Sequence, residues 1–266
     1  MSLNSSNAPV SLQATQPEPP VQPPHKYSPT KRLLFVIGLP AWVFLGFMLA
    51  QAIILAAISG LQAMGVDFSS INAIIFNTVG GVIIYALAIF LVIGVPWFVK
   101  KRPTTRNELG LQRLPQWMDF VWAPLGMFVY LVLTTIVTAI ATQALTFVDY
   151  SQAQETGFAE IATRPEYILA FLSLVIVAPI AEEVLFRGYL LGKLRKYAPL
   201  WLSILITSVL FAVVHFQWNV GIDVFVLSIV LCLLRVYTGS LWAPILLHMI
   251  KNGVAFYFLF INPSLL

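Results

Sequence analysis

The sequence predicts an all-α membrane protein, a helical bundle of about seven transmembrane helices that follows a disordered N-terminal tail. Composition is the first reason: 59% of the 266 residues are hydrophobic and only 10% are charged, whereas about 25% of an average soluble domain is charged. The mean hydropathy is +0.87. The second reason is spacing, because apolar runs of about 20 residues, enough to cross a bilayer core about 30 Å thick, recur along nearly the whole chain.

Seven apolar runs are the candidate transmembrane helices. The connections between them are short, no internal repeat is evident, and no segment has the composition of a soluble extramembrane domain. We therefore predict one helical membrane domain. Its predicted spans are 33–59, 72–95, 120–145, 167–191, 200–215, 220–236 and 241–261.

Residues 1–30 differ from the rest of the chain. They are rich in Pro, Gln, Ser and Thr and poor in large aliphatic residues, so they cannot bury enough apolar surface to offset the entropy lost on folding. We predict a disordered tail. The first apolar run comes too late and is too long for a signal peptide.

The lysines and arginines fall on alternate connections of the predicted bundle. In short loops such a bias marks the cytoplasmic side. We therefore predict a cytoplasmic N-terminus and an external C-terminus, and the net charge of +4 favours the lipid bilayer, not nucleic acid, as a partner. The basic residues of the predicted cytoplasmic side are Lys26, Lys31, Arg32, Lys100, Lys101, Arg102, Arg106, Arg113, Lys193, Arg195, Lys196 and Arg235. The acidic residues assigned to the opposite loops are Asp67, Asp149, Glu155, Glu160 and Asp223.

Two adjacent glutamates and an arginine interrupt the apolar fourth span. A charged side chain inside the bilayer costs roughly 2.5 to 3.5 kcal/mol on insertion scales, so it usually faces the bundle interior and pairs. Glu183 and Arg187 are four residues apart and share a helix face, which predicts an ion pair. Glu182 is turned by about 100° from Glu183 and is less fully neutralised within its own helix. Glu182 is therefore the better candidate for chemistry.

Two histidines are predicted to reach the depth of Glu182. If the basic stretch GKLRKYAPL is the turn between the fourth and fifth helices, Glu182 and His215 lie equally far from it, and antiparallel neighbours rise equally per residue. In the seventh span, His248 and Asn252 are four residues apart and share a face. His248 lies about 10 Å inside that span. We predict one polar pocket between three helices.

A buried glutamate with two histidines and an asparagine suits hydrolysis. The glutamate can take a proton from water while a histidine orients that water and later protonates the leaving amine. The second histidine and the amide can donate hydrogen bonds to the oxyanion. Two histidines and a carboxylate are also a ligand set that catalytic zinc uses. Sequence spacing does not choose between these mechanisms.

The polar residues form three motifs along the chain: Glu182-Glu183-x-x-x-Arg187, Phe211-x-x-x-His215 and His248-x-x-x-Asn252. In this order they resemble the CPBP intramembrane proteases, which include the type II CAAX prenyl endopeptidases and the bacteriocin-processing or immunity proteins called Abi. The neighbouring stretches FRGYLLGKL and TGSLWAPILLH are similar to the family too. The likeness covers roughly residues 166–254, and the first three spans carry no comparable signature.

The resemblance implies an intramembrane endopeptidase with four catalytic residues. Glu182 and His215 would activate the water, and His248 and Asn252 would stabilise the oxyanion. The family is commonly classed as metalloproteases, and a metal-free glutamate mechanism is also argued for it. The resemblance therefore implies either a divalent metal such as zinc, with Glu182, His215 and His248 as candidate ligands, or no metal.

Supporting roles are implied for Glu183, Arg187 and Phe211, the last of which would pack the helix that bears His215. The implied partner is a peptide or membrane-protein substrate, prenylated or not. Composition and charge predict a Pro-rich cytoplasmic tail (1–30) and N-terminal transmembrane helices with a basic cytoplasmic loop (31–160). The resemblance implies that the remainder (161–266) is a catalytic transmembrane core.

Two other functions suit the same residues. A non-catalytic immunity or scaffold protein of the same fold would bind a bacteriocin or a membrane partner without using the acid and histidines. A proton-coupled transporter would also use buried Glu and His, but the repeated halves that many transporters show are not evident. Lys251, a charge that the family is not expected to require, must pair or extend to the membrane surface.

Overall fold

The computed structural model describes residues 27–101, 103–152, 154–158 and 161–263. These residues form eight helices, and six of them are long and apolar enough to cross a membrane. This confirms the predicted all-α, multi-pass membrane fold. The helices are α1 (Pro29–Ala63), α2 (Ala73–Lys100), α3 (Arg106–Leu109), α4 (Trp117–Ala144), α5 (Arg164–Leu194), α6 (Leu200–Val213), α7 (Trp218–Thr238) and α8 (Trp242–Ile261).

The first helix begins at Pro29 because the residues there suit a helix start. Ser28 is its N-cap, and the Ser28 Oγ accepts a hydrogen bond from the Lys31 backbone N–H. Proline fits the first helical turn, where its missing N–H has no helical partner to lose. The helix therefore starts just inside the predicted tail, and residues 1–26 of that tail lie outside the described residues.

The fifth predicted span is the short helix α6. Its 14 residues rise about 21 Å at 1.5 Å per residue, less than the hydrocarbon thickness. The chain then turns at Val214 and His215 and re-enters a helix at Trp218. His215 therefore lies in the connection at the far end of α6.

The helices that bear the predicted site residues form the interior of the bundle. α7 and α5 are the most deeply buried of the long helices. α7 packs against α6 and α4, while α8 packs against α4 and α5. Side chains of α5 and α8 that face each other are consequently shielded from the lipid.

Helix α5 changes its winding twice around the paired glutamates. The segments Leu172–Val177 and Val184–Leu190 are π-helical, and the α-helical turn Ala178–Glu183 lies between them. Wider π-helical turns are rare and occur frequently at functional sites. Glu182 and Glu183 therefore end a short α-helical segment, and Arg187 lies in the wider turn that follows.

The basic connections gather at one end of the bundle. α3 lies against α5, and Glu108 pairs with Lys196 at 2.8 Å and with Lys193 at 3.3 Å. Gly188 and Gly192 permit this approach, since a Cβ on either would meet a backbone carbonyl oxygen of α3 at 3.2 Å. The start of α1 reaches the same end, because a side chain of α1 donates to the Tyr197 carbonyl. The predicted charge asymmetry thus corresponds to one face of the molecule.

Acidification is expected to weaken the attachment of α3. The hydrogen bond from Lys196 and the charge of Lys193 lower the pKa of Glu108 from its usual 4.5 to about 2. The contribution of Glu108 to folding stability is therefore fully present above the pKa that Glu108 has in the unfolded chain. It is lost as the pH falls through the pKa of Glu108 in the folded protein. Because the carboxylate is partly exposed, that contribution is less than about 1 kcal/mol. Melting curves between about pH 5 and about pH 2 measure it.

Glu108→Gln is expected to remove this pH-dependent component, and Glu155→Gln, an exposed change at the other end, is expected to leave it unchanged. An unmodified pH profile in Glu108→Gln would contradict the assignment.

Candidate active site

A buried ion-pair network lies at the centre of the bundle. Arg187 Nη1 contacts Glu183 Oε1 at 2.8 Å, as the spacing predicted, and both side chains are fully buried. His248 Nδ1 lies 2.8 Å from the same Glu183 oxygen. A carboxylate accepts hydrogen bonds only, so Nδ1 of His248 carries the proton and donates. Glu183 therefore joins α5 to α8 and fixes the orientation of the His248 ring.

Glu182 is the second carboxylate of the site and faces different partners. The Tyr85 hydroxyl of α2 donates to Glu182 Oε1 at 2.5 Å. Its other oxygen, Oε2, lies 3.7 Å from His248 Nε2. No arginine or lysine of the described residues pairs with Glu182. It is thus the less neutralised carboxylate, as predicted, and it stands beside a histidine that Glu183 orients.

His215 approaches the site from the end of α6. Its Nδ1 lies 2.7 Å from the Phe211 carbonyl oxygen, an acceptor, so the Nδ1–H donates and Nε2 is left with its lone pair. Glu182 and His248 are close enough to act on His215 electrostatically. The ring is therefore held in the tautomer in which Nε2 can accept a proton.

Phe211 packs between the charged groups and the histidines. Its ring centroid lies 5.0 Å from that of His215 and 5.9 Å from that of His248. The Arg187 guanidinium carbon lies 4.2 Å from the Phe211 centroid, a cation–π distance. Phe211 is fully buried. The predicted supporting residue thus contacts both histidines and the arginine of the network.

Asn252 lies one helical turn beyond His248. Its Nδ2 donates to the Leu174 carbonyl oxygen at 2.9 Å, in the first π-helical segment of α5. Together with Gln154 and Thr156 of the connection before α5, these residues line a cavity of about 50 Å³. A cavity of this size with several polar groups has room for water. Asn252 therefore lies at a small cavity that has both polar and apolar lining residues, one helical turn from His248.

Lys251 has a partner that the sequence did not indicate. Its Nζ lies 3.2 Å from Asp223 Oδ2, and Asp223 also accepts hydrogen bonds from Tyr130 at 2.5 Å and Thr134 at 3.0 Å. The assignment of Asp223 to an external loop was wrong, because the residue lies within α7. The helical position brings its carboxylate to the lysine, so both charges are neutralised within the bundle.

The candidate metal ligands meet part of the requirement for zinc. Both histidines donate Nδ1–H to an oxygen acceptor, an arrangement that leaves Nε2 available and is common among metal-binding histidines. However, within the described residues no group of three or more His, Cys, Asp and Glu side chains is arranged to hold a metal ion. Glu182, His215 and His248 therefore do not form a preassembled ligand set.

Tyr85 is the site residue that sequence reasoning missed. It lies in α2, in the part of the chain without a family motif, and the only available signal was a phenol in a highly apolar helix. A transmembrane tyrosine distant from the interface needs a hydrogen-bond partner. The structure supplies Glu182 as that partner.

If the protein cleaves peptides as its motifs predict, Tyr85→Phe is expected to lower kcat/KM by at least about tenfold, because a hydrogen bond to a charged group contributes about 1.5–3 kcal/mol. The loss would come from poorer positioning of the Glu182 carboxylate. A cleavage assay on the purified protein measures it. Tyr237→Phe is the matched control, since Tyr237 is 69% exposed. Equal kcat/KM values in Tyr85→Phe and the unmodified chain would contradict this role.

The chain matches a family model described as "Type II CAAX prenyl endopeptidase Rce1-like" over residues 164–254. This region contains all the predicted motif residues from Glu182 to Asn252. It begins with α5 and ends within α8. The match therefore covers the helices that carry the motif residues, but not α2, which carries Tyr85.

The chain is similar to several curated proteins. An uncharacterized 24.3 kDa protein of Escherichia coli is 39% identical over 90 residues, which are 32% of this chain and 42% of that protein. The membrane-embedded CAAX protease MroQ of Staphylococcus aureus is 26% identical over 63% of this chain and 69% of its own length. The putative membrane peptidase YdiL of Bacillus subtilis is 26% identical over 51% of this chain and 54% of its own length.

No solved structure matches the chain significantly. The family match and the relatives agree with the motifs and with the multi-pass helical fold. The chain belongs to the Rce1-like type II CAAX prenyl endopeptidase (CPBP) family.

Proposed function

We propose that this protein is an intramembrane endopeptidase in which Glu182 activates a water molecule for attack on a peptide bond. The observation that carries the proposal is that the two glutamates have different partners. Glu183 is engaged by Arg187 and His248, whereas Glu182 pairs with no arginine or lysine of the described residues and faces a histidine. A carboxylate in a largely desolvated pocket is a suitable general base.

His215 would complete the activation of water. With its Nδ1–H on the Phe211 carbonyl, Nε2 can accept a hydrogen bond from the water and align it. After attack, the proton that Glu182 or His215 has taken is delivered to the leaving amine as the C–N bond breaks. Such proton transfers contribute about 10²–10⁴-fold to a rate.

His248 and Asn252 would stabilise the oxyanion of the tetrahedral intermediate. When doubly protonated, His248 donates one N–H to Glu183 and can donate the other to the oxyanion. One N–H of the Asn252 amide is held by Leu174, and the second is available to substrate. Donors fixed in advance stabilise developing charge without reorganising.

The proposed orientation places the basic end of the bundle in the cytoplasm, because Lys and Arg in short loops favour that side. The N-terminus would then be cytoplasmic and the C-terminus external. The substrate would be a peptide or membrane protein that reaches the site within the bilayer. The name of MroQ describes a CAAX protease, so a prenylated C-terminal peptide is one substrate to test.

Cleavage by the purified protein tests the proposed function. The substrates are synthetic membrane-anchored peptides, with and without a prenylated cysteine near the C-terminus, and products are identified by mass spectrometry. We expect cleavage by the unmodified chain and none by a triple variant with alanine at Glu182, His215 and His248. A non-catalytic scaffold would instead bind its partner equally well with and without these three residues.

The same assay with a chelator tests metal dependence. Because Glu182, His215 and His248 do not form a preassembled ligand set, we expect activity to persist in a sample that metal analysis shows to be metal-free. Loss of activity with the chelator, and its return with zinc, would instead show a zinc requirement, for which these three side chains are the candidate ligands.

A further inference from the structure

We propose that the basic end of the bundle contains a binding site for a phosphate group, formed around Arg235. Arg235 lies in the last turn of α7, and only 8% of its surface is exposed. Its Nε is buried and has no hydrogen-bond partner within the described residues. A buried guanidinium without an anion is costly. The Nε–H of Arg235 is therefore a buried donor that an anion could satisfy.

Two carboxylates at this end of the bundle already form ion pairs with other residues. Glu108 is held by two lysines of the α5 terminus. Asp119 is held by both terminal nitrogens of Arg113. Among the described residues, no carboxylate pairs with Arg235, and the charged group that acts on it is another cation, Arg195. The local charge is thus positive and uncompensated.

The backbone around Arg235 is shaped to accommodate its guanidinium. Gly110 follows α3 with a φ of +83°, and a Cβ there would lie 2.5 Å from the guanidinium carbon. Only glycine combines that conformation with that contact. The Gly110 carbonyl oxygen accepts the Leu241 N–H at 2.9 Å, and the Arg235 Nε does not donate to it. The guanidinium therefore packs closely against Gly110 while its Nε donor has no hydrogen-bond partner in the neighbouring loop.

Phosphate suits these features better than a carboxylate of the chain. An arginine fork binds phosphate oxygens in a bidentate manner, and a second arginine nearby accommodates a further negative charge. The site lies at the end of the helices, where a phospholipid headgroup would be found. An anionic phospholipid or free phosphate would supply the same chemical group. A bound phosphate would join the α3 loop to the start of α8, the helix that carries His248.

The test uses the full-length protein in phosphate-free maltoside micelles, to which phosphatidylglycerol, inorganic phosphate or dioleoylglycerol is added. Cys232 is the only cysteine and is buried, so a thiol-reactive dye reports unfolding. We expect phosphatidylglycerol to raise Tm by on the order of 3 °C. Dioleoylglycerol, which has acyl chains and no phosphate, should not. An equal gain with inorganic phosphate would identify the site as one for free phosphate.

In Arg235→Gln, phosphatidylglycerol is expected not to raise Tm. In Arg235→Lys it should raise Tm by a smaller amount, because lysine lacks the planar fork of donors. Arg235→Lys also serves if the glutamine variant does not fold. Lys31→Gln removes one positive charge from an exposed position at this end. Phosphatidylglycerol should raise the Tm of this variant as much as that of the unmodified chain. Without phosphate, Arg235→Gln should melt no lower than the unmodified chain, because it removes an unpaired buried charge.

Three results would overturn the proposal. The first is an equal gain in Arg235→Gln and the unmodified chain, which would indicate general attraction to a basic surface. The second is no gain with either phosphate source. The third concerns Glu18, an acidic residue outside the described part of the chain. If Glu18→Gln lowered Tm in phosphate-free micelles and Arg235→Gln did not lower it further, the tail carboxylate would be the partner of Arg235.

Discussion

Glu182→Gln is expected to reduce peptide cleavage severely while leaving the protein folded. The amide has nearly the shape of the carboxylate but cannot take a proton from water, so kcat should fall by about 10²–10⁴-fold. The Tyr85 hydroxyl can still donate to the amide oxygen, so the contact between α2 and α5 is preserved. Initial rates under saturating substrate, together with a melting curve, measure both expectations.

Glu155→Gln is the matched control for this variant, because Glu155 is exposed in the connection before α5. It should cleave at the unmodified rate. If Glu182→Gln were equally active, Glu182 would not be the base. A second result, loss of activity accompanied by a large drop in Tm, would assign Glu182 a structural role.

Arg187→Met is expected to produce the largest loss of stability of any single change in the site. It leaves the Glu183 carboxylate fully buried with His248 as its remaining partner. Removing one partner of a buried ion pair costs about 3–5 kcal/mol, because the other charge stays uncompensated. The contact between the guanidinium and the Phe211 ring is also lost. The free energy of unfolding in mixed micelles measures the effect.

The double variant Glu183→Gln with Arg187→Met separates charge from packing. Replacing both charged groups removes the uncompensated carboxylate, so the double variant should recover part of the stability that Arg187→Met loses. Arg195→Met, at the basic end outside the network, should change stability by less than about 1 kcal/mol. A double variant less stable than Arg187→Met would show that the carboxylate is not the source of the cost.

Much of the fold could be predicted because the bilayer constrains it strongly. In lipid every backbone polar group must be satisfied, so a long apolar run forms a helix whatever its neighbours. Each of the seven predicted spans corresponds to a helix in the structure. The shorter α6 was harder to bound, because the apolar pattern continues to His215 whereas the regular helix ends at Val213.

The local parts of the site were predictable for a similar reason. Glu183 and Arg187 are four residues apart in one helix, and that spacing alone brings them together even across the change to π-helical winding. Counting residues along the helices also predicted that His248 lies at the level of Glu182, and the two side chains lie 3.7 Å apart. What counting does not supply is the direction in which each helix presents its side chains.

The sequence by itself determined the class of fold, the motif residues and the approximate level at which they lie, because hydrophobic length and helical rise are properties of single segments. Only the tertiary structure decided which side chains meet. It brought His248 into hydrogen-bonding contact with Glu183, 65 positions away in the sequence, and Tyr85 into hydrogen-bonding contact with Glu182, 97 positions away. It also paired Lys251 with Asp223. These contacts depend on how the helices rotate and pack against one another, and that arrangement is a property of the whole bundle.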